Sequence, residues 1–369
     1  MPASNKPSEA PSPGASRQAP LGGVRKLGSG PAFSCEKPAD PALRHWPAAA
    51  AAQINALIEA NAQRGAYAVF DADNTSYHHD LVGALLPFME MRGVLTRDTM
   101  HPSLKIIPFR DTATQFESLH SYYFRLGEID DQIGYPWASQ IFAGFTLREL
   151  RGHLHDLLAY GKTIPAQVYV GDRVETIDVE APRLQRGPQE LYNTLMQHGI
   201  EVFVVSAAAE ELVRMLLSDP RYGYNVKPQN VIGVSLLLKD RKTGEVTTAR
   251  KLITQGRYVP DDLLDHELTH TLWAPMPWYE GKQAAIHTYI HPWKKPVLVA
   301  GDTPDSDGPM FFRAPDVDQG SLRIFVSRKP TYHDKMQALQ AHHAAAQREH
   351  GLPVTADRNW VIVTPEEIR

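Results

Sequence analysis

The sequence predicts an α/β fold built on a mainly parallel sheet with helices on both faces. Three short apolar runs carry that reading: Ala66-Tyr67-Ala68-Val69-Phe70, Glu201-Val202-Phe203-Val204-Val205 and Val297-Leu298-Val299-Ala300. Each is rich in β-favouring residues and has the length of a strand buried on both faces. Each stops abruptly in polar residues, at Asp71, at Ser206 and at Gly301-Asp302. Helical patterns border the second run, at residues 189–198 and 207–217, and strands alternating with helices imply parallel pairing. Ligands of such sheets collect at the carboxyl ends of the strands, where all three polar breaks fall.

In chain order, residues 1–42 are dense in Pro, Ser, Gly and Ala and lack an apolar period, the composition of a disordered or processed tail. Residues 48–62 are Ala-rich, with Ile54, Leu57 and Ile58 at helical spacing. The stretch between the first two strands is far longer than a crossover helix needs. Its segments 112–126, 135–142 and 147–160 have helical patterns rich in Tyr, Trp and Phe. Residues 79–185 therefore read as an inserted, mostly helical domain, with 43–78 and 186–369 as the α/β core. Residues 231–239 and 245–249, joined by Asp240-Arg241-Lys242-Thr243-Gly244, read as a hairpin.

Composition excludes several classes. A length of 369 residues suits two or three compact units. A formal charge of −4 gives no support for nonspecific binding to nucleic acid or a membrane surface. The single cysteine, Cys35, can form neither an intramolecular disulfide nor a multi-cysteine zinc site. No apolar run reaches the roughly 18 residues of a membrane span.

The strand ends carry the chemistry. Asp71 and Asp73 leave the first strand two residues apart, followed by Thr75, while Asp302, Asp305 and Asp307 crowd the third. Converging carboxylates repel and raise one another's pKa unless a cation compensates. An all-oxygen set without clustered His or Cys suits Mg²⁺, which also bridges to phosphate. Ser206 offers a hydroxyl to a phosphate oxygen, and Lys282, at an expected helix start, offers a positive charge. Such a set fits phosphoryl transfer: one carboxylate attacks phosphorus, a cation offsets the phosphoryl charge, and a second acid protonates the leaving alcohol.

Asp71-Ala72-Asp73-Asn74-Thr75, Ser206, Lys282 and Gly301-Asp302 with Asp307 resemble the four ordered motifs of haloacid-dehalogenase-superfamily phosphatases. The resemblance spans residues of about 65 to 330 and implies a Rossmann-like core, with the helical insertion at the C1-type cap position. It implies Asp71 as nucleophile and Asp73 as general acid and base, also lending a backbone carbonyl to the metal. It further implies Thr75, Ser206, Ala207 and Lys282 around phosphate, and Mg²⁺ on Asp71, Asp73, Asp302 and Asp307. Asp305 reads as a turn residue or a ligand.

Phe70 through Tyr77, the Tyr122-Tyr123 pair and the 301–307 string narrow the resemblance to bacterial phosphorylcholine phosphatases, near phosphoserine phosphatases. The implied substrate is a small phosphomonoester with a quaternary ammonium or amine: phosphorylcholine, or alternatively phosphoserine or another amino-alcohol phosphate. Aromatic faces hold a quaternary ammonium by cation–π attraction, and Tyr77, Tyr122, Tyr123, Tyr135 and Trp137 are the cage candidates. The resemblance departs at Val82-Gly83, where an acidic residue is expected after Asp80-Leu81. It implies export, whereas the first residues lack the basic-then-apolar order of a secretory signal, so the cytoplasm is the alternative.

One rival motif is present. His266-Glu267-Leu268-Thr269-His270 matches the zinc-peptidase pattern, in which two His one helical turn apart bind zinc. The extended pattern fails, because Trp273 and Met276 stand where Gly and His belong.

Overall fold

The computed structural model describes residues 43–369. The expected tail and Cys35 lie outside them. Six strands pair in parallel in the order Trp360–Val363, Leu322–Val326, Leu298–Gly301, Tyr67–Phe70, Glu201–Ala209 and Val231–Asp240. Val246–Thr247 and His266–Trp273 pair antiparallel with the last of these. The hairpin turn at 240–244 is thus present, with Leu238 opposite Thr247. Alternation sends Tyr67 and Val69 into one hydrophobic core and Ala68 and Phe70 into the other. That two-sided burial explains why these strands read as continuous apolar runs rather than alternating ones.

The segment between the first two core strands is mostly helical. Its helices are Leu81–Met91, Leu119–Ile129, Asp131–Gln140 and Leu147–Tyr160. The last has the expected bounds, closed by a capping box of Thr146 and Glu149. The helix expected from 112 starts only at Leu119. Side chains of Asp111 and Thr112 bind the backbone of Glu117 and Gln115, at 3.0 Å each, and hold a turn there instead. A hairpin of Ile164–Val170 and Arg173–Val179 completes the segment. Tyr77–His78 pairs with Arg183–Leu184, so the chain enters and leaves the segment side by side. Leu85, Tyr122, Trp137 and Leu150 join the same core as Phe70. Among the described residues, no helix is long and apolar enough to cross a membrane.

Two further expectations are corrected. The second core strand continues past Val205 to Ala209, and the helix begins at Glu210 rather than Ala207. Pairing with the next strand continues through an irregularity between Val205 and Ala209, so sheet pairing overrides the helix preference of the alanines. The His266-to-His270 motif lies in the strand His266–Trp273, with Leu268 opposite Leu238. Four residues of strand separate its histidines by roughly 13 Å, at about 3.3 Å per residue. They cannot act as the helical zinc pair, and the peptidase reading falls.

Candidate active site

Strand register assembles the site. Phe70 is level with Ala300 on one side and Val204 on the other. The residues just past these levels are Asp71, Gly301-Asp302 and Val205-Ser206, at one edge of the sheet. The Asp71 N–H donates to the Ala300 carbonyl at 2.9 Å, extending the ladder to the aspartate itself. Oxygens of Asp71, Asp302 and Asp307 lie within 4.8 Å of one another, and all three residues are buried. Asp307 reaches the group from the helix Pro304–Arg313, where its Oδ2 accepts from the N–H groups of Asp302 (3.0 Å) and Thr303 (2.9 Å). Gly301 makes room for it, since a Cβ there would stand 2.6 Å from that carboxylate. Asp305 turns outward and pairs with Lys335 at 2.5 Å.

Lys282, on the short helix Glu280–Ala285, is fully buried. Its Nζ stands 2.7 Å from Asp71 Oδ1 and 2.5 Å from Asp307 Oδ1. Thr75 Oγ1 is 3.5 Å from Asp302 Oδ1. The Ser206 hydroxyl is buried in the strand irregularity and accepts from the Ala208 N–H at 3.1 Å. Asp73 is anchored by the N–H of Leu81 at 2.8 Å. Between Asp71 and Asp73 and the insertion, Asn74 takes φ 58°, a left-handed conformation Asn tolerates, and its Oδ1 accepts from the His79 N–H at 3.0 Å.

Burial dominates the acidity of these groups. It pushes Asp71 up to about 8 against the pull of Lys282, with Asp307 and Asp302 adding to the rise. It pushes Asp302 up to about 6, the Arg328 guanidinium opposing and Asp307 reinforcing. Asp73 is held well above the carboxylate range by burial and by Asp80. Burial alone would lower Lys282, but Asp307 and Asp71 outweigh it and hold the ammonium above its ordinary value. Burial is the largest cause of both raised carboxyls; the neighbouring acids add to it, and Lys282 and Arg328 oppose it only in part. The donors are hard oxygens of three buried acids, a set that fits Mg²⁺.

The aromatic candidates separate into two groups. A pocket of about 50 Å³ beside Asp73 is lined by Asp80, Tyr123, Tyr135, Ser139 and Ala207 among others. A cavity of about 540 Å³ shares Asp80 and Tyr123 with it and reaches Asn74, His79 and Arg328. Tyr122 and Trp137 line neither and are fully buried. The Trp137 indole donates to the Leu104 carbonyl at 2.9 Å, and the Tyr122 hydroxyl is bound by the Ile107 backbone. Trp137 backs Tyr123, with the rings nearly parallel and 6.1 Å apart. Tyr77 is buried, and its hydroxyl has no hydrogen-bond partner among the described residues.

Two residues at the site escaped the sequence reading. Arg328 donates through Nε to Asp302 Oδ2 and borders the larger cavity. It stands two residues past the strand Leu322–Val326, so the polar-break rule applied to this fourth strand end points to it. Asp80 caps the helix Leu81–Met91 through the Gly83 N–H while its side chain borders both cavities. The signal for it was the helix-cap pattern.

No family model matches the chain. A conserved protein of unknown function from Anaerococcus prevotii shares the fold, with a TM-score of 0.53 and 19% identity over 80% of this chain and 90% of that one. The phosphorylcholine phosphatase of Pseudomonas aeruginosa is 62% identical over 327 residues, covering 89% of this chain and 93% of that protein. With that identity along nearly its whole length, the chain belongs to the phosphorylcholine phosphatase family and is a phosphoric monoester hydrolase.

Proposed function

We propose that the protein hydrolyses phosphorylcholine through an aspartyl-phosphate on Asp71. The observation that carries this reading is the contact of Lys282 with both Asp71 and Asp307, inside a group of three buried carboxylates. In the proposed reaction Asp71 Oδ attacks phosphorus and the bond to the choline oxygen breaks. Asp73 gives that oxygen a proton, then takes one from the water that attacks the aspartyl-phosphate. Lys282 neutralises Asp71 before attack and the phosphoryl oxygens after it. Thr75, Ser206 and the backbone at Ala207 bind those oxygens. Asp71, Asp302, Asp307 and the Asp73 carbonyl would hold Mg²⁺, which when bound would offset the negative charge of the transferring group.

On this reading residues 79–185 act as a C1-type cap over the core of 43–78 and 186–369, with the pocket beside Asp73 closing around the head group. Tyr123 and Tyr135 face the ammonium, Asp80 supplies a carboxylate near it, Trp137 supports Tyr123 from behind, and Tyr122 packs on Trp137. Each aromatic contact with a quaternary ammonium is worth about 0.5–2 kcal/mol. The test compares kcat/KM for phosphorylcholine, phosphoethanolamine and phosphoserine on the intact chain. We expect phosphorylcholine to lead by roughly tenfold or more, the equivalent of about 1.4 kcal/mol. Equal values for the choline and ethanolamine esters would remove the aromatic contribution, and a lead for phosphoserine would reassign the substrate.

A further inference from the structure

The loop ahead of Lys282 holds a residue in an unfavourable conformation. Tyr279 has φ 51° and ψ −130°, a positive-φ backbone that a bulky residue rarely adopts. Such a conformation persists only where surrounding contacts over-determine it. Three hydrogen bonds do so here. The Tyr279 N–H donates to the carbonyl of Ser306, in the helix that carries Asp307, at 3.1 Å. Its carbonyl accepts from the Lys282 N–H at 3.1 Å. Its hydroxyl donates to Asp131 Oδ2 at 2.8 Å, at the first residue of the helix Asp131–Gln140. That helix carries Tyr135 and Ser139 to the pocket beside Asp73.

Trp278 repeats the link. Its indole N–H donates to Gln132 Oε1 at 2.7 Å, and its ring centroid is 5.9 Å from that of Tyr135. The loop has little freedom to slide, because a Cβ on Gly281 would stand 1.7 Å from the Met276 carbonyl oxygen.

We propose that Tyr279 is a positioning residue that ties the insertion's pocket wall to Lys282 and to the loop of Asp302 and Asp307. The proposal rests on the reaction read above, since the pocket and Lys282 are what it positions. Two of its three hydrogen bonds are made by the backbone and hold Lys282 whatever the side chain is. Only the hydroxyl reaches the insertion. Its loss therefore loosens the pocket wall, which is left to the Trp278–Gln132 bond, while Lys282 stays in place, and the effect falls on substrate binding rather than turnover.

The test uses Tyr279→Phe and Asp131→Ala in the full chain, singly and together. Phe keeps the ring and the backbone, and the helix at Asp131 keeps its cap from Asp130. Each single variant is expected to raise KM for phosphorylcholine about five- to tenfold, with kcat within about twofold of wild type. The double variant is expected to be no worse than either single one, because all three break one contact. Amide hydrogen exchange in the helix Asp131–Gln140 should quicken in each. Unchanged KM in Tyr279→Phe, a loss confined to kcat, or effects that multiply in the double variant would each overturn the proposal. A wild-type chain inactive on phosphorylcholine would defeat the reaction reading alone. The exchange measurement then decides the tie, faster exchange in Tyr279→Phe upholding it and unchanged exchange overturning it.

Discussion

Two buried carboxylate clusters in this chain are neutralised to different degrees. At the strand ends, Asp71, Asp302 and Asp307 face two cations, Lys282 and Arg328. On the helix Glu210–Leu217, Glu210 and Glu211 face Arg214 and Arg250, two acids against two bases. Glu210 Oε1 binds Arg214 at 2.5 Å and Arg250 at 2.9 Å, and Oε2 takes the Gly233 N–H at 3.1 Å. Burial raises Glu210, but Arg250 and Arg214 outweigh it and hold the carboxyl below its ordinary value. At the strand ends the balance runs the other way, and Asp71 and Asp302 rise. The first cluster carries one acid more than its bases, a charge that a bound cation would offset; the second is matched acid for base. Burial is common to both, and the count of partners separates them.

Removing one charge with little change of shape should separate the two clusters. The largest effect expected is on turnover: Asp71→Asn abolishes phosphorylcholine hydrolysis, while its metal-free melting temperature stays at or above that of wild type. Relief of like-charge repulsion is the reason. A melting temperature several degrees lower would mean that the strand-end cluster is itself a structural tie. Glu210→Gln is expected to do the opposite, costing about 3 kcal/mol in urea unfolding, because buried Arg250 loses its carboxylate partner and Arg214 keeps only Glu211. Folded Glu210→Gln should keep its kcat.

The acid limb sharpens the contrast. An acid with a lowered folded pKa stabilises the fold above its ordinary value, 4.5 for this group, and loses that contribution as pH falls through the folded value. Wild-type stability should therefore drop below about pH 4.5 by an increment that Glu210→Gln lacks. Parallel stability–pH curves for the two proteins would contradict this assignment.

How much of this was legible in the sequence follows from the physics of each element. The Asp71 and Asp302 positions were readable because an apolar run meets a polar residue where a buried parallel strand emerges; Ser206 was read by the same rule, although its strand runs on irregularly to Ala209. Lys282 was readable only through its order among the motifs, since a lone lysine near a helix start is ordinary. Arg328 follows the same strand-end rule but stands one residue further out, behind Ser327. The role inferred for Tyr279 rests on backbone conformation, which residue type alone does not reveal. His266 to His270 went the other way: its spacing is helical, yet pairing with Val231–Asp240 makes it a strand. The hairpin at 164–179 did leave a signal, Gly171-Asp172 after Val168-Tyr169-Val170, hidden by the helical patterns around it.

The central claim is that the strand-end carboxylates leave a place for one divalent cation. Calorimetric titration of Mg²⁺ into the metal-free intact chain, beside Asp302→Asn, tests it most directly. One Mg²⁺ per wild-type chain is expected, with a melting temperature that rises with Mg²⁺ concentration, and neither effect in Asp302→Asn. A wild-type chain indifferent to Mg²⁺, or an Asp302→Asn chain that binds it equally well, would contradict the account.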